Sequence, residues 1–298
     1  MTEPSRLNHV LLTRFNLPSA GVESSIRARD GWLDDRVDLF ERYCLPSVLA
    51  QSNQNFSWII YFDPQSPAWL LNRIDGYAAE GVCRPIFRAS VDRPQLLADV
   101  RSASLAERDL LITTNLDNDD GLAIDFVDRL QRAEIGHPRS AVYLTYGLIS
   151  SRDGLYLRHD RHNAFCSVRE SSLDPVTCWS DWHNLLGRSM PVVELGGEPA
   201  WLQVVHGANV SNRVRGTLVS PVGYQDAFAP IFGNPASGNP PVPSRGRMLR
   251  DRMVDSPIRV CREASRAGVK WLLMATVGKR GLDRIKLLRP TGGRRSHD

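Results

Sequence analysis

Apolar and polar positions along the chain fall into blocks that switch between two periods. Asn8 to Phe15 (NHVLLTRF) is a short apolar run ending in polar residues, the pattern of a buried parallel strand whose carboxyl end opens into a loop. After the turn-like Arg29-Asp30-Gly31, residues Trp32, Val37, Phe40, Cys44, Leu45, Val48 and Leu49 recur at helical spacing with charges between them. They predict a helix with Pro46 as its kink or end. Phe56 to Phe62 (FSWIIYF), aromatic and β-branched, predicts a second strand running straight into Asp63-Pro64. A helix over about 67–79, a strand over 82–87, a helix over about 94–105 and a strand over 109–114 follow.

Strands alternating with helices of this length need right-handed crossovers, which build a mostly parallel sheet with helices on both faces. Ligands then bind where the strands end. Beyond residue 123 the pattern changes: 124–135 predicts a helix, and 140–150 with 154–158 predicts a hairpin turning at Arg152-Asp153-Gly154. The Pro, Gly and Ser density of 233–244 predicts a linker. The expected organisation is a domain over 1–232, with halves of about 8–123 and 124–232, then that linker. A basic, mainly helical appendage over 245–298 follows, disordered from Thr291.

Charge sharpens this division. From Arg245 onward there are 15 Lys and Arg against 5 Asp and Glu, leaving 22 against 28 upstream. A tail so basic is expected either to touch an anionic surface, such as the inner face of a membrane, or to be a solvated charged helix. Trp271 is its single aromatic ring, which argues against base stacking, so no nucleic-acid partner is expected. Five scattered cysteines with no C-x-x-C pair fit reduced packing residues of a cytoplasmic protein. The polar start, Met1 to Asn8, lacks an export pattern. The apolar run Trp271 to Ala275 falls far short of the roughly 20 residues that cross a bilayer, and predicts a core or interfacial segment.

The candidate chemistry lies directly after the fourth predicted strand, in Asp117-Asn118-Asp119-Asp120. In extended backbone Asp117 and Asp119 point the same way while Asn118 turns back into the protein. Paired carboxylates repel unless a cation lies between them, and Mg²⁺ or Mn²⁺ takes oxygen donors while keeping positions open for phosphates. The alternative is an acidic helix N-terminus, and Asp120 in particular is expected to cap the following helix. A calcium loop of EF-hand type fits poorly, because from Asp117 the glycine comes one place early and from Asn115 the twelfth residue is Phe126.

The D-x-D at the end of a strand resembles the metal motif of GT-A glycosyltransferases. With Thr13-Arg14-Phe15-Asn16, the segment Phe40 to Val48, Gln51 to Phe56 and Trp58 to Asp63, the ordered set resembles bacterial rhamnosyltransferases over about residues 8–230. The resemblance implies a nucleotide-binding half over 8–123 and an acceptor half over 124–232. It also implies a nucleotide bound across the ends of the first, second and fourth strands, nominating Arg14, Asp63 and Asp117. Arg14 would pair with phosphate or stack on the base, and Asp63 would hydrogen-bond base or ribose. Asp117 and Asp119 would hold Mn²⁺ or Mg²⁺, with His206, at the end of the apolar run Trp201 to Val205, as the late histidine ligand.

An inverting transferase also needs a base for the acceptor hydroxyl. Asp181 is the candidate, in a segment where Ser180-Asp181 is expected to open a short helix and Trp179 and Trp182 to form a sugar-stacking wall. His183 is the alternative. The implied reaction moves a sugar, L-rhamnose from a dTDP donor being the form the resemblance suggests, to a glycan or glycolipid hydroxyl, as in polysaccharide or cell-wall biosynthesis. A nucleotidyltransferase using the same acidic site stays open, although no glycine-rich phosphate loop followed by Lys is present. So does a non-enzymatic protein that binds anions or membranes through its tail.

Overall fold

The computed structural model describes residues 7–18, 31–105, 109–206, 213–234, 239–262 and 265. The chain forms two compact units, 1–244 and 245–298. In the first, the predicted alternation holds: β1 (Leu7–Arg14), α1 (Trp32–Leu39), α2 (Leu45–Leu49), β2 (Ser57–Phe62), α3 (Ala68–Ala79), β3 (Arg84–Phe87), α4 (Arg93–Ala103) and β4 (Leu110–Asn115). Asp92 caps α4 through a capping box with Gln95. Between α1 and α2 the helix widens into a π turn, Phe40–Cys44, closed by the Leu45 N–H donating to the Phe40 carbonyl. Pro46 lacks an N–H and its ring crowds the carbonyl four residues back, and the widened turn accommodates both defects without ending the helix.

A seven-stranded sheet runs β10-β6-β9-β4-β1-β2-β3, where β6 is Ser140–Leu144, β9 Ser167–Ser171 and β10 Val192–Leu195. All its neighbours pair parallel except those of β9, which runs against both β4 and β6. Helices cover the sheet, and its central strands β1 and β2 feed both faces: Leu11 and Ile60 belong to one core, Val10, Leu12 and Ile59 to the other.

The expected single strand over 140–150 is two. β6 ends at Leu144, and after Thr145 the chain enters β7 (Tyr146–Ser151) in a second sheet, β12-β8-β7-β11-β5. There β7 and β8 (Gly154–His159) form the hairpin predicted around Asp153. β5 (Gly121–Leu122) and β11 (Trp201–Val204) join this sheet to the acidic loop, and β12 is Thr217–Val219. Gly147 is required here, since a Cβ would lie 2.0 Å from the Trp201 ring. That ring is stacked on Phe165, centroids 5.1 Å apart, and donates its N–H to the Leu144 carbonyl.

The predicted helix over 124–135 is shorter, α5 (Phe126–Arg132), and α6 (Ala229–Phe232) follows the second sheet. In the linker, 239–244 is without regular structure and 235–238 lies outside the described residues. The second unit begins with α7 (Arg245–Arg250), which passes through a π turn, Asp251–Asp255, into helix to residue 262. The segment Trp271 to Ala275 and the end from Thr291 lie outside the described residues. No described helix is long and apolar enough to cross a membrane, and no described cysteine is in a disulfide.

Candidate functional site

The carboxyl ends of β1, β2 and β4 converge, as parallel pairing dictates. Arg14 stands exposed at the end of β1. Asp63 follows β2 in an Asx turn, its Oδ1 accepting the Gln65 N–H at 2.8 Å. Asn16, buried, ties the two strand ends together: its Oδ1 accepts the Asp63 N–H at 2.9 Å and its Nδ2 donates to Ser66 Oγ at 3.0 Å.

Each residue of the acidic loop has a different environment. Asn118 is buried and turned inward, donating to the Phe15 carbonyl at 2.7 Å and accepting from Arg36 Nη1 at 2.9 Å. Asp119 is buried, and its Oδ2 meets Arg36 Nη1 at 2.8 Å and His206 Nε2 at 3.1 Å. Burial alone would raise its carboxyl, but the His206 hydrogen bond and the Arg36 charge outweigh it and hold the pKa below the usual value. The Asp117 side chain reaches solvent at the rim of the loop, yet the protein packed around it thins the water. That desolvation, followed by the charge of Asp119, pushes its pKa up to about 6.

Asp120 is the correction among the four. It caps no helix: α5 starts after Asp125, and Asp120 Oδ1 accepts the backbone N–H of Val204 in β11 at 2.8 Å. The residue is fully buried and its Oδ2 has no hydrogen-bond partner. Burial first, then the charges of Asp119 and Asp117, drive its pKa far above the ordinary range, so it is a neutral acid tying the loop to the strand that carries His206.

The structure thus brings Asp119 and His206 together; Asp117, two residues earlier at the rim, has its Oδ1 3.3 Å from Asn115 Nδ2. Among the described residues no three His, Cys, Asp or Glu side chains gather as a ligand cluster. Arg36 was not visible as a site residue in the sequence, because it sits mid-helix among charges and only the register of α1 turns it to the loop.

No helix opens at Ser180-Asp181. The chain makes turns there, Asp181 Oδ1 accepts the next N–H, that of Trp182, at 2.7 Å, and the first helical turn is 3₁₀, Leu186–Arg188. The expected tryptophan wall divides, for Trp182 is 71 % exposed whereas Trp179 is half-buried under Arg14, whose guanidinium carbon lies 4.1 Å from its ring centroid. Burial lowers the pKa of His183, so its imidazole is neutral at pH 7, and its carbonyl accepts from the Tyr143 hydroxyl.

Residues 8–218 match the model of a family described as "Putative rhamnosyl transferase". No curated protein matches the chain. Among solved structures, TarS from S. aureus is similar at 8 % identity over 67 % of this chain, with a TM-score of 0.40, and the chain spans 36 % of that protein's length. A "putative nucleotide-diphospho-sugar transferase" from Desulfovibrio desulfuricans G20 is 11 % identical over 68 % of this chain and 83 % of its own, with a TM-score of 0.32. The inositol-1-phosphate CTP transferase from T. maritima is 10 % identical over 70 % and 92 %, with a TM-score of 0.33.

Proposed function

The chain belongs to this rhamnosyl transferase family and is a glycosyltransferase, and from that premise we propose that it moves L-rhamnose from a dTDP donor to a hydroxyl of a glycan or glycolipid, with inversion and with a divalent cation. The observation that carries this reading is the meeting of Asp119 and His206 at the carboxyl edge of the sheet. Their 3.1 Å separation matches neighbouring ligands of one octahedral Mg²⁺ or Mn²⁺, which at about 2.1 Å from the ion stand about 3 Å apart. Asp119 and His206 are the pair that would hold the ion, an oxygen and imidazole set, and Asp117 on the same loop would have to swing in as a further oxygen donor. When bound, the ion supplies positive charge for the diphosphate leaving group.

The chain's own groups supply the rest. Arg14 faces the diphosphate as a second positive charge, and Asp63 accepts from base or ribose. Asp181, two residues beyond Trp179, takes the acceptor's proton, with the neutral His183 imidazole as the neighbouring base.

The proposed setting is the cytoplasm, with the tail against an anionic membrane face. Support comes from Leu249, Met253, Val254, Ile258 and Val260, exposed on a helix that also carries six arginines over 245–262. Flotation with anionic but not neutral vesicles tests this contact.

A thermal-shift panel of nucleoside diphosphates with and without Mn²⁺ tests the transferase reading. One nucleotide is expected to raise Tm, and more with Mn²⁺. Stabilisation by none, or pyrophosphate release from a nucleoside triphosphate, overturns it.

A further inference from the structure

Past Ser171 the chain turns and climbs back along one face of the sheet, pinned there by side chains instead of a strand ladder. Glu170, fully buried, accepts the N–H groups of Val176 and Thr177 on its two oxygens, each at 2.9 Å, and Arg139 Nε donates to it at 2.9 Å. Thr113 Oγ1 accepts the Cys178 N–H at 2.8 Å. Asn115 Oδ1 accepts the Trp179 indole N–H at 2.7 Å. Glu170 lies opposite Leu111, and Leu111, Thr113 and Asn115 alternate along β4, so the three acceptors line one face.

This docking forces Thr177 to φ 70°, the one positive φ at a non-glycine among the described residues. A β-branched residue adopts that conformation only where its surroundings enforce it. What the enforced path delivers is the Trp179 ring. Its centroid lies 4.1 Å from the Arg14 guanidinium carbon and 5.6 Å from the Tyr61 ring centroid, and its edge N–H rests on Asn115. Asn115 in turn donates to the Ala164 carbonyl at 2.9 Å and approaches Asp117.

We propose that Trp179 is a positioning residue for the nucleotide diphosphate, holding Arg14 by its face and Asn115, hence Asp117, by its edge. The inference rests on the transferase reading. A guanidinium at the exposed end of a strand otherwise samples many rotamers, and an indole beneath it fixes its plane before the ligand arrives.

The two contacts separate by substitution. Trp179→Phe keeps a ring face for Arg14 and loses the N–H to Asn115, whereas Trp179→Leu loses both. The readout is calorimetric Kd of the full chain for UDP and dTDP with Mn²⁺, beside Tm for each variant. Trp179→Leu is expected to weaken the nucleotide that wild type binds by about tenfold, the face and edge contacts together, and Trp179→Phe by about threefold. Arg14→Gln removes the guanidinium itself and weakens binding at least as much as loss of the face contact does; adding Trp179→Leu to it costs only the roughly threefold edge share, short of the product of the two single losses, because the face contact is already gone.

A wild-type Kd in Trp179→Leu, or additive losses in the double variant, overturns the proposal while leaving the transferase reading intact. Should Trp179→Leu lose Tm steeply, Trp179→Phe decides instead: its roughly threefold loss is expected to persist in the Arg14→Gln background, and a wild-type Kd in Trp179→Phe overturns the proposal. Absence of nucleotide binding by wild type overturns both readings.

Discussion

Two adjacent carboxylates, Asp119 and Asp120, should respond to the same substitution in opposite ways. Asp120 is fully buried, donates nothing to a partner through Oδ2, and has its pKa driven far above 3.8 by burial and by its acidic neighbours. The folded protein therefore holds it protonated while the unfolded chain ionises it. Its contribution to stability is complete below the unfolded pKa and is lost as pH rises toward the folded one. Asp120→Asn keeps an oxygen for the Val204 N–H and cannot ionise. Near pH 4 the variant should cost about 1 kcal/mol for the amide hydrogens left unpartnered. It should then gain on wild type by about 1.4 kcal/mol per pH unit, until the folded pKa is reached, and be the more stable protein at pH 7.

Asp119 has the reverse linkage, its pKa depressed by His206 and Arg36 against burial, so its contribution is present above the unfolded pKa and lost as pH falls. Asp119→Asn removes the charge facing Arg36, which keeps its hydrogen bond to Asn118, and should cost about 1 to 2 kcal/mol at pH 7, discounted because both partners keep some solvent contact. The carboxylate proposed to hold the cation is thus also one that the fold needs. Urea unfolding from pH 4.5 to 7.5, with EDTA present, measures both. A pH-independent gap between Asp120→Asn and wild type would refute the reasoning, since it would mean that Asp120 stays ionised in the fold.

Two further outcomes follow from the same geometry. Because Asp117 in the cation-free protein holds its proton up to about pH 6, Mn²⁺ affinity measured by calorimetry should be level above that pH and fall by up to about tenfold per unit below it; equal affinity at pH 5 and pH 7 would contradict this. Gly147→Ala places a Cβ 2.0 Å from the Trp201 ring, and should cost about 3 kcal/mol or more by unseating the ring from Phe165; a Tm within a degree of wild type would show that the ring has room to move.

The sheet's first half was legible because β1, β2 and β4 carry concentrated apolar runs, and the short β3, Arg84-Pro85-Ile86-Phe87, follows from the alternation with helices. β9 was not: Ser167-Val168-Arg169-Glu170-Ser171 is polar, and it is buried in a sheet centre only because Ser167 meets Thr114 and Glu170 is consumed by Arg139 and two backbone N–H groups. The break at Thr145 was equally hidden, since β6 and β7 are both apolar and the change of sheet leaves no mark in the period. At the site, the strand-end positions of Arg14, Asp63 and Asp117 could be read from local pattern. Arg36 meets Asp119 from 83 residues away, Asp120 meets Val204 from 84, and Glu170 adds Arg139, 31 residues back, to the nearby N–H groups of Val176 and Thr177, distances that no local window contains.

The single reversed strand also sets an order of assembly. β1 to β4 complete their own parallel ladder within residues 7–115, whereas β6 and β10 attach to it only through β9. Closing that later contact requires a longer stretch of synthesised chain, and such closures come late in folding. On a ribosome the acidic loop would emerge with Arg36 already behind it and His206 still to come. Arg36 is then the first counter-charge of the nascent loop, and pulse-labelled hydrogen exchange should protect β1 and β4 before β6 and β10.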